Sequence, residues 1–531
     1  MYHNKITKAD AYTISSEDFA SESCKLYSAY NFVNRYSPAR AFPDLAFDSR
    51  MVLAGLHDAI DKIATPITNA DVILAEKFMS RAHSFGGPMN FPVHLWKRVV
   101  DENNGYLPLR IRSIPEGSTF FPNEPVVQVE STLSGMGELA AHVEARLLGA
   151  ISIATAAATL CRHWLERMRE QVRTDFSLLH KREPTVEEID NNARFQIHNF
   201  GSRACVTDEE SIIIGKAHLL SFYGTDNFDA AYNSWMDGAS DPIGSSILAL
   251  AHRNVQGHNM EVDAFQAIVD ATAGQSVRIA SFVADCYNYK NAVRQLVTMA
   301  GMNPDVIFVI RPDSGDCYDT LKCIFDTCME MDVFKTVNGY KIPKNVRFIY
   351  GDSVKPAKQF EVMARLREAG MLPTMWGIWG VGGYIRNTPN RDSLSSAYKL
   401  CAKHGPNGRF PVVKLSETKT KLSVPYINDI IRYFDKNVTN VTVVPIHEEL
   451  NNHNIHVVNK VIYLNGQVDT KYHSRNFNTI SNRAINQFDE YKHFAKKNPQ
   501  FGLNRECLHQ SIIDLQNETY DKYQGSQIDA V

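Results

Sequence analysis

Several common signatures are missing from this chain. It has no G-x-x-x-x-G-K-[ST] loop, no H-E-x-x-H pair and no serine or cysteine nucleophile motif. Gly380-Val381-Gly382-Gly383 lacks the third glycine of a dinucleotide fingerprint, which leaves a Rossmann site without support. The nine cysteines include no C-x-x-C pair and no zinc spacing, and no secretion signal is recognised, so reduced thiols in a cytoplasmic protein are expected. The longest uncharged apolar run, Leu147 to Cys161, is too short and too rich in Ala and Thr to span a bilayer. A buried helix, and no membrane partner, is the expectation. A net charge of -3 over 531 residues provides no overall basic field, which argues against nucleic acid as a partner.

What is present is a soluble-protein balance, 44% hydrophobic and 22% charged residues, on a chain long enough for more than one domain. Val306-Ile307-Phe308-Val309-Ile310 reads as a strand buried on both faces, and it runs straight into Arg311-Pro312-Asp313-Ser314-Gly315. A helical pattern follows from Cys317 to about Met331. A cation and a carboxylate at the carboxyl end of a buried strand sit where α/β folds keep their chemistry. The pattern recurs. Arg347 to Tyr350 leads into Gly351-Asp352, Met375 to Trp379 into Gly380 to Gly383, Phe195 to His198 into Asn199 to Arg203, and Ile279 to Val283, which includes Ser281, into Asp285. Alternating strands and helices imply parallel pairing, and several such loops on one rim predict an α/β barrel with a phosphate-binding mouth.

The flanking regions read differently. Tyr27 to Phe32 alternates as a strand, Met51 to Ile63 reads as a helix, and Leu109 to Ile114 and Val126 to Val129 read as antiparallel strands. Glu138 to Trp164 is expected to form one or two helices, and Arg182 to Asn192 a surface connection. Thr207-Asp208-Glu209-Glu210 has the form of a capping box opening a helix that ends near Gly224-Thr225-Asp226. Asn465-Gly466, between Val461 to Leu464 and Gln467-Val468, signals a hairpin. The expected division is a mixed α+β region over 1–190, an α/β barrel over 191–391, and a region over 392–531 that returns to the α+β domain.

The set His198-x-Phe200-Gly201-x-Arg203, Gly224-Thr225-Asp226, His252, Ile310 to Gly315, Gly351-Asp352 and Gly382-Gly383, followed by Arg391-Asp392, resembles the nicotinamide phosphoribosyltransferase branch of the type II phosphoribosyltransferase family. The resemblance runs from Asp10-Ala11-Tyr12 to the Asn465-Gly466 hairpin. It implies an irregular α/β barrel, a mixed α+β domain built from both chain ends, and a homodimer with active sites at the subunit interface. It further implies transfer of the 5-phosphoribosyl group from 5-phosphoribosyl 1-pyrophosphate to nicotinamide, with Mg²⁺. ATP is an optional co-substrate that phosphorylates a histidine, here His252; the metal ligands stay unassigned.

By the same resemblance, Arg203, Arg311 and His252 face the pyrophosphate, with further phosphate contacts from Arg391, Lys399 and Lys414. Asp313 and Asp352 hold ribose hydroxyls, Gly351 and Ser281 belong to the substrate site, and Gly382 and Gly383 cradle the 5′-phosphate. Phe200 and the Tyr12 side chain of a second copy sandwich the pyridine ring. Asp226 faces the amide and disfavours nicotinate through like charge. Ala251 stands where the family has a glutamate beside the key histidine, Asn199 where it has an aspartate, Ser202 where it has an aromatic residue, Tyr384 for a third glycine, and Thr13 for a lysine. The missing carboxylate beside His252 predicts weaker or absent ATP stimulation. Nicotinate phosphoribosyltransferase and a non-catalytic nucleotide- or protein-binding homologue are the alternative readings.

Overall fold

The computed structural model describes residues 3–16, 19–81, 88–352, 355–416, 422–435, 437–446 and 455–525. The chain forms two units, one built from Met1–Leu160 with Pro389–Val531 and the other from Cys161–Thr388. The division falls inside one helix, Glu144–His180. A 42-residue helical stretch, Leu139–His180, is long and apolar enough to cross a membrane, but 72% of its most apolar window is buried in the protein. That burial is characteristic of a core helix.

The first unit is organised on a seven-stranded antiparallel sheet. Its order is Gly408–Pro411, Ser396–Gly405, Ser28–Asn34, Val127–Ser131, Leu109–Ser113, Lys460–Leu464 and Gln467–Val468. Strands from both chain ends therefore share one sheet. The Asn465-Gly466 turn has positive φ at both residues, 50° and 98°, as a two-residue primed turn requires. The helix expected from Met51 starts later. Met51–Val52 pairs with Thr119–Phe120, and Gly55 at φ 80° caps the helix Leu56–Ile63. A Cβ at Gly55 would lie 2.6 Å from the Ala150 carbonyl, so only glycine fits this bend.

The second unit carries a six-stranded, wholly parallel sheet. Its order is Ile197–Asn199, Gly377–Val381, Val346–Tyr350, Val306–Arg311, Arg278–Val283 and Leu248–Ala249. The sheet curls into an open half-barrel. Two isolated parallel bridges, Asn199 with Thr225 and Gly224 with Ser245, continue the curl beyond its first edge. This is the expected type II phosphoribosyltransferase-like architecture. Helices Tyr289–Met302, Cys317–Glu330 and Pro356–Glu368 make the crossovers. Phe282 stacks on Phe308 at 4.9 Å, and Phe348 meets Trp376 and Trp379 edge-on, filling the sheet's faces with aromatic area. At Gly377 the Phe348 ring takes the place a Cβ would need. The segment expected to be a plain connection, Arg182 to Asn192, includes the helix Val186–Ala193, started by a full capping box between Thr185 and Glu188.

Several histidines are buried uncharged. Burial lowers His142 and His473 to about 3, with Arg146 adding to the effect at His142 and His57, 3.9 Å away ring to ring, at His473. Burial likewise lowers His218 to about 4. Folded-state values below the usual 6.5 mean that the unfolded chain binds more protons between those limits. Stability is therefore complete above pH 6.5 and is lost as pH falls towards 3–4. Thermal unfolding followed across that window is expected to show a falling Tm, with a shallower fall for His142→Phe. A flat Tm down to pH 4 would contradict it.

Candidate functional site

All six strands of the parallel sheet point the same way, so their carboxyl ends share one rim. Phe200 follows Ile197–Asn199, Gly382 follows Gly377–Val381, and Gly351 follows Val346–Tyr350. Arg311 ends its strand, Asp285 lies just past Arg278–Val283, and His252 opens the short helix after Leu248–Ala249. The residues singled out between His198 and Gly383 are thus gathered on one rim by the pairing register.

A cavity of about 660 Å³ opens there. His198, Phe200, Asp226, Ser246, Ser281 and Arg311 line one part of it, at the carboxyl ends. It continues past Val309 and Ile378 to Arg347, Thr374 and Met375 near the amino ends of the strands. No periodicity in the sequence announces this depth, because its lining comes from alternate positions on different strands.

Two histidine–carboxylate pairs dominate the rim. His198 Nε2 lies 3.0 Å from Asp226 Oδ1, and the Ser246 hydroxyl donates to the same oxygen. Burial works to raise the Asp226 carboxyl, but the hydrogen bond and charge of His198, the Ser246 hydroxyl and the Arg311 charge outweigh it and hold it below its ordinary value. His252 Nε2 lies 3.2 Å from Asp285 Oδ1, and the Ser314 hydroxyl donates to Asp285 Oδ2. The missing glutamate at position 251 does not leave His252 without a carboxylate: Asp285 supplies one from the neighbouring strand. The sequence marks Asp285 only as a strand-end carboxylate, and its pairing with His252, like that of Ser246 with Asp226, is brought about by the strand pairing alone.

Arg311 and Asp313 form an ion pair at 3.8 Å. A Cβ at Gly351 would lie 3.2 Å from Asp313 Oδ1, so the carboxylate rests against that glycine's backbone. Asp352, next to Gly351, and Arg203, in the turn Ser202–Ala204 after Ile197–Asn199, are exposed. Gly382, at φ −105° and ψ −105°, precedes the turn of helix Gly383–Asn387. Glycine also makes room for the ring of Phe200: a Cβ at Gly380 would stand 2.5 Å from its Cε2. The half-built Thr207 cap is a further difference. Thr207 accepts from Glu210 N–H as expected, while the Glu210 carboxylate takes Val206 N–H and pairs with Arg386.

Tyr12, Arg391, Lys399 and Lys414 belong to the first unit. Tyr12 is 65% exposed and donates to Asp10. Burial lowers Lys399, Glu144 opposes that at 3.9 Å, and the charges of Lys414, Arg35 and Arg391 lower it further. Within that unit the predicted phosphate-binding cations therefore form one cluster.

The sequence profile of the Nicotinate phosphoribosyltransferase (NAPRTase) family matches residues 195–419. A nicotinamide phosphoribosyltransferase of Xanthomonas campestris pv. campestris is 28% identical over 360 residues, covering 65% of this chain and 71% of that one. One from Acinetobacter baylyi is 25% identical, covering 56% and 61%. The match to a Mycoplasma genitalium relative covers 51% of that protein's length. In fold, the chain is similar to human nicotinic acid phosphoribosyltransferase, with TM-score 0.59, 15% identity and coverage of 96% and 99%. It is similar also to nicotinate-nucleotide pyrophosphorylase from Pyrococcus furiosus, with TM-score 0.58, 14% identity and coverage of 93% and 98%.

Residues 195–419 thus match one family's profile, and the chain has a type II phosphoribosyltransferase-like fold. On this rim, the Phe200 ring is a sensitive feature. Gly380→Ala is expected to displace the ring and to destabilise the fold by about 1–3 kcal/mol, the usual range for overpacking. A crystal structure of that variant with Phe200 unmoved would contradict the assignment of Gly380 as its seat.

Proposed function

We propose that the protein transfers the 5-phosphoribosyl group of 5-phosphoribosyl 1-pyrophosphate to nicotinamide, a step of pyridine-nucleotide salvage. The pyridine nitrogen forms the new bond to the ribose C1 as the bond from C1 to pyrophosphate breaks, and pyrophosphate leaves with the electron pair. The observation that carries this reading is Asp226: an ionised carboxylate at the cavity, beside Phe200 and Arg311. An amide NH₂ donates to such a group, whereas nicotinate would set a second negative charge against it, at a cost of several kcal/mol.

The remaining rim residues suit the other half of the substrate. Guanidinium forks such as Arg311 and Arg203 bind phosphate oxygens and offset charge on the departing pyrophosphate. The backbone around Gly382 and Gly383 has no side chain to hinder approach of the 5′-phosphate. Asp313 and Asp352 offer ribose hydroxyls their acceptors, and carboxylate oxygens of this kind suit a hard cation such as Mg²⁺. Bound there, Mg²⁺ would neutralise phosphate charge. The homodimer implied by the resemblance belongs to this reading, with Tyr12 of a second copy against the pyridine ring and with Arg391, Lys399 and Lys414 as further phosphate contacts, some of them made across the dimer.

His252 is the phosphate acceptor for ATP in this reading. With its Nε2 proton on Asp285, Nδ1 keeps the lone pair that would attack phosphorus. A hydrogen bond to a charged group contributes about 1.5–3 kcal/mol, so Asp285→Asn is expected to cut phosphohistidine formation from labelled ATP by about tenfold or more. Equal labelling of variant and wild type would remove Asp285 from the role.

The test of the function itself is product detection with each base, with and without ATP. Mononucleotide from nicotinamide and not from nicotinate is expected, and Asp226→Ser should lose that preference. Acid-only turnover, or an unchanged preference in Asp226→Ser, would overturn the role given to Asp226. Absence of turnover with either base would favour a binding homologue.

A further inference from the structure

The Asp226 carboxylate is held asymmetrically. Three segments lie side by side here: Ile197–Asn199, the Gly224–Asp226 turn, and the loop that precedes Leu248–Ala249. Their backbones are bonded, Asp226 N–H to the Asn199 carbonyl at 2.9 Å, Asn199 N–H to that of Gly224 at 3.2 Å, and Thr225 N–H to that of Ser245 at 3.0 Å. This zipper delivers two side-chain donors, His198 Nε2 and Ser246 Oγ, to a single oxygen, Oδ1. Among the described residues nothing donates to Oδ2. The acceptor role of Asp226 requires a proton on His198 Nε2. Its Nδ1 edge then lies against Gly224, where a Cβ would come within 2.6 Å. The His198 ring is also flanked by Phe200, at 4.8 Å between centroids.

We propose that His198 and Ser246 are positioning residues that set base specificity by saturating Asp226 Oδ1, which keeps the carboxylate charged and leaves Oδ2 as the acceptor for a neutral carboxamide. This inference rests on the nicotinamide reading above. Its physical content is a cost placed on protonation. A pyridine carboxylate can pair with Asp226 only if that residue takes up a proton and donates it. Two donors on Oδ1 oppose that proton, while burial favours it. Removing a donor shifts the balance towards the acid, so the variants gain an activity instead of merely losing one. The charged or titratable neighbours that act on Asp226 are His198 and Arg311.

The experiment measures kcat/KM for nicotinamide and for nicotinate, over a pH series, in wild type, Ser246→Ala, Ser246→Thr, His198→Phe and His198→Gln. In Ser246→Ala and His198→Phe the amide-to-acid ratio is expected to fall by about tenfold for each donor lost. The fall should come from a raised KM for nicotinamide and from nicotinate turnover that grows as pH is lowered, with KM for the phosphoribosyl donor unmoved. Ser246→Thr and His198→Gln, which keep a donor, should restore the ratio. General damage to the fold would depress both bases together and would not create acid turnover. Wild-type preference for the amide with the same ratio in every variant overturns this inference alone. A wild type that prefers nicotinate, or uses neither base, overturns the functional reading and this inference with it.

Discussion

Parallel pairing is the constraint on which the site depends. In the second unit Asn199 is level with Val381, Tyr350 with Trp379, Arg311 with Val283, and Ala249 with Ser281. Because the strands all run one way, each loop that leaves a carboxyl end falls on the same rim. A slip of one residue would turn every side chain to the opposite face and separate Arg311 from Asp226. The aromatic filling around Phe348, Trp376 and Trp379 fixes that register, with Gly377 admitting the Phe348 ring at a distance no other residue allows.

On this rim, carboxylates do their work through histidines and hydroxyls. Asp226 and Asp285 each join one imidazole to one serine, and each group is assembled from separate segments of the chain. The two carboxylates have different tasks. Asp226 lines the cavity and, in the proposed reading, presents charge to the base, while Asp285 bonds the imidazole of His252. A half-enclosed setting strengthens both, since water competes less for the same hydrogen bonds.

Much of this was legible in the sequence because it is local. Apolar runs ending in Gly, Asp or Arg located the Val306–Arg311, Val346–Tyr350, Arg278–Val283, Ile197–Asn199 and Gly377–Val381 strands, and Asn465-Gly466 located a hairpin. What escaped is what depends on distant partners. Met51 and Val52 look helical until Thr119 and Phe120 pair with them. The polar stretch after Arg182 hides a capped helix whose Ile189 and Ala193 are buried. Ala251 suggests a weakened histidine, and only the fold shows that Asp285, 33 residues away, takes the carboxylate's place. Ser246 is an ordinary loop serine until the Gly224–Ser245 bridge sets it beside Asp226.

The central claim is that this rim receives a pyridine mononucleotide in one orientation. A crystal structure with nicotinamide mononucleotide tests it most directly. The account predicts the pyridine ring against Phe200, the amide nitrogen within hydrogen-bond distance of Asp226 Oδ2, and the 5′-phosphate at Gly382 and Gly383. A nucleotide bound elsewhere on the chain, or with its phosphate towards Asp226, would contradict it.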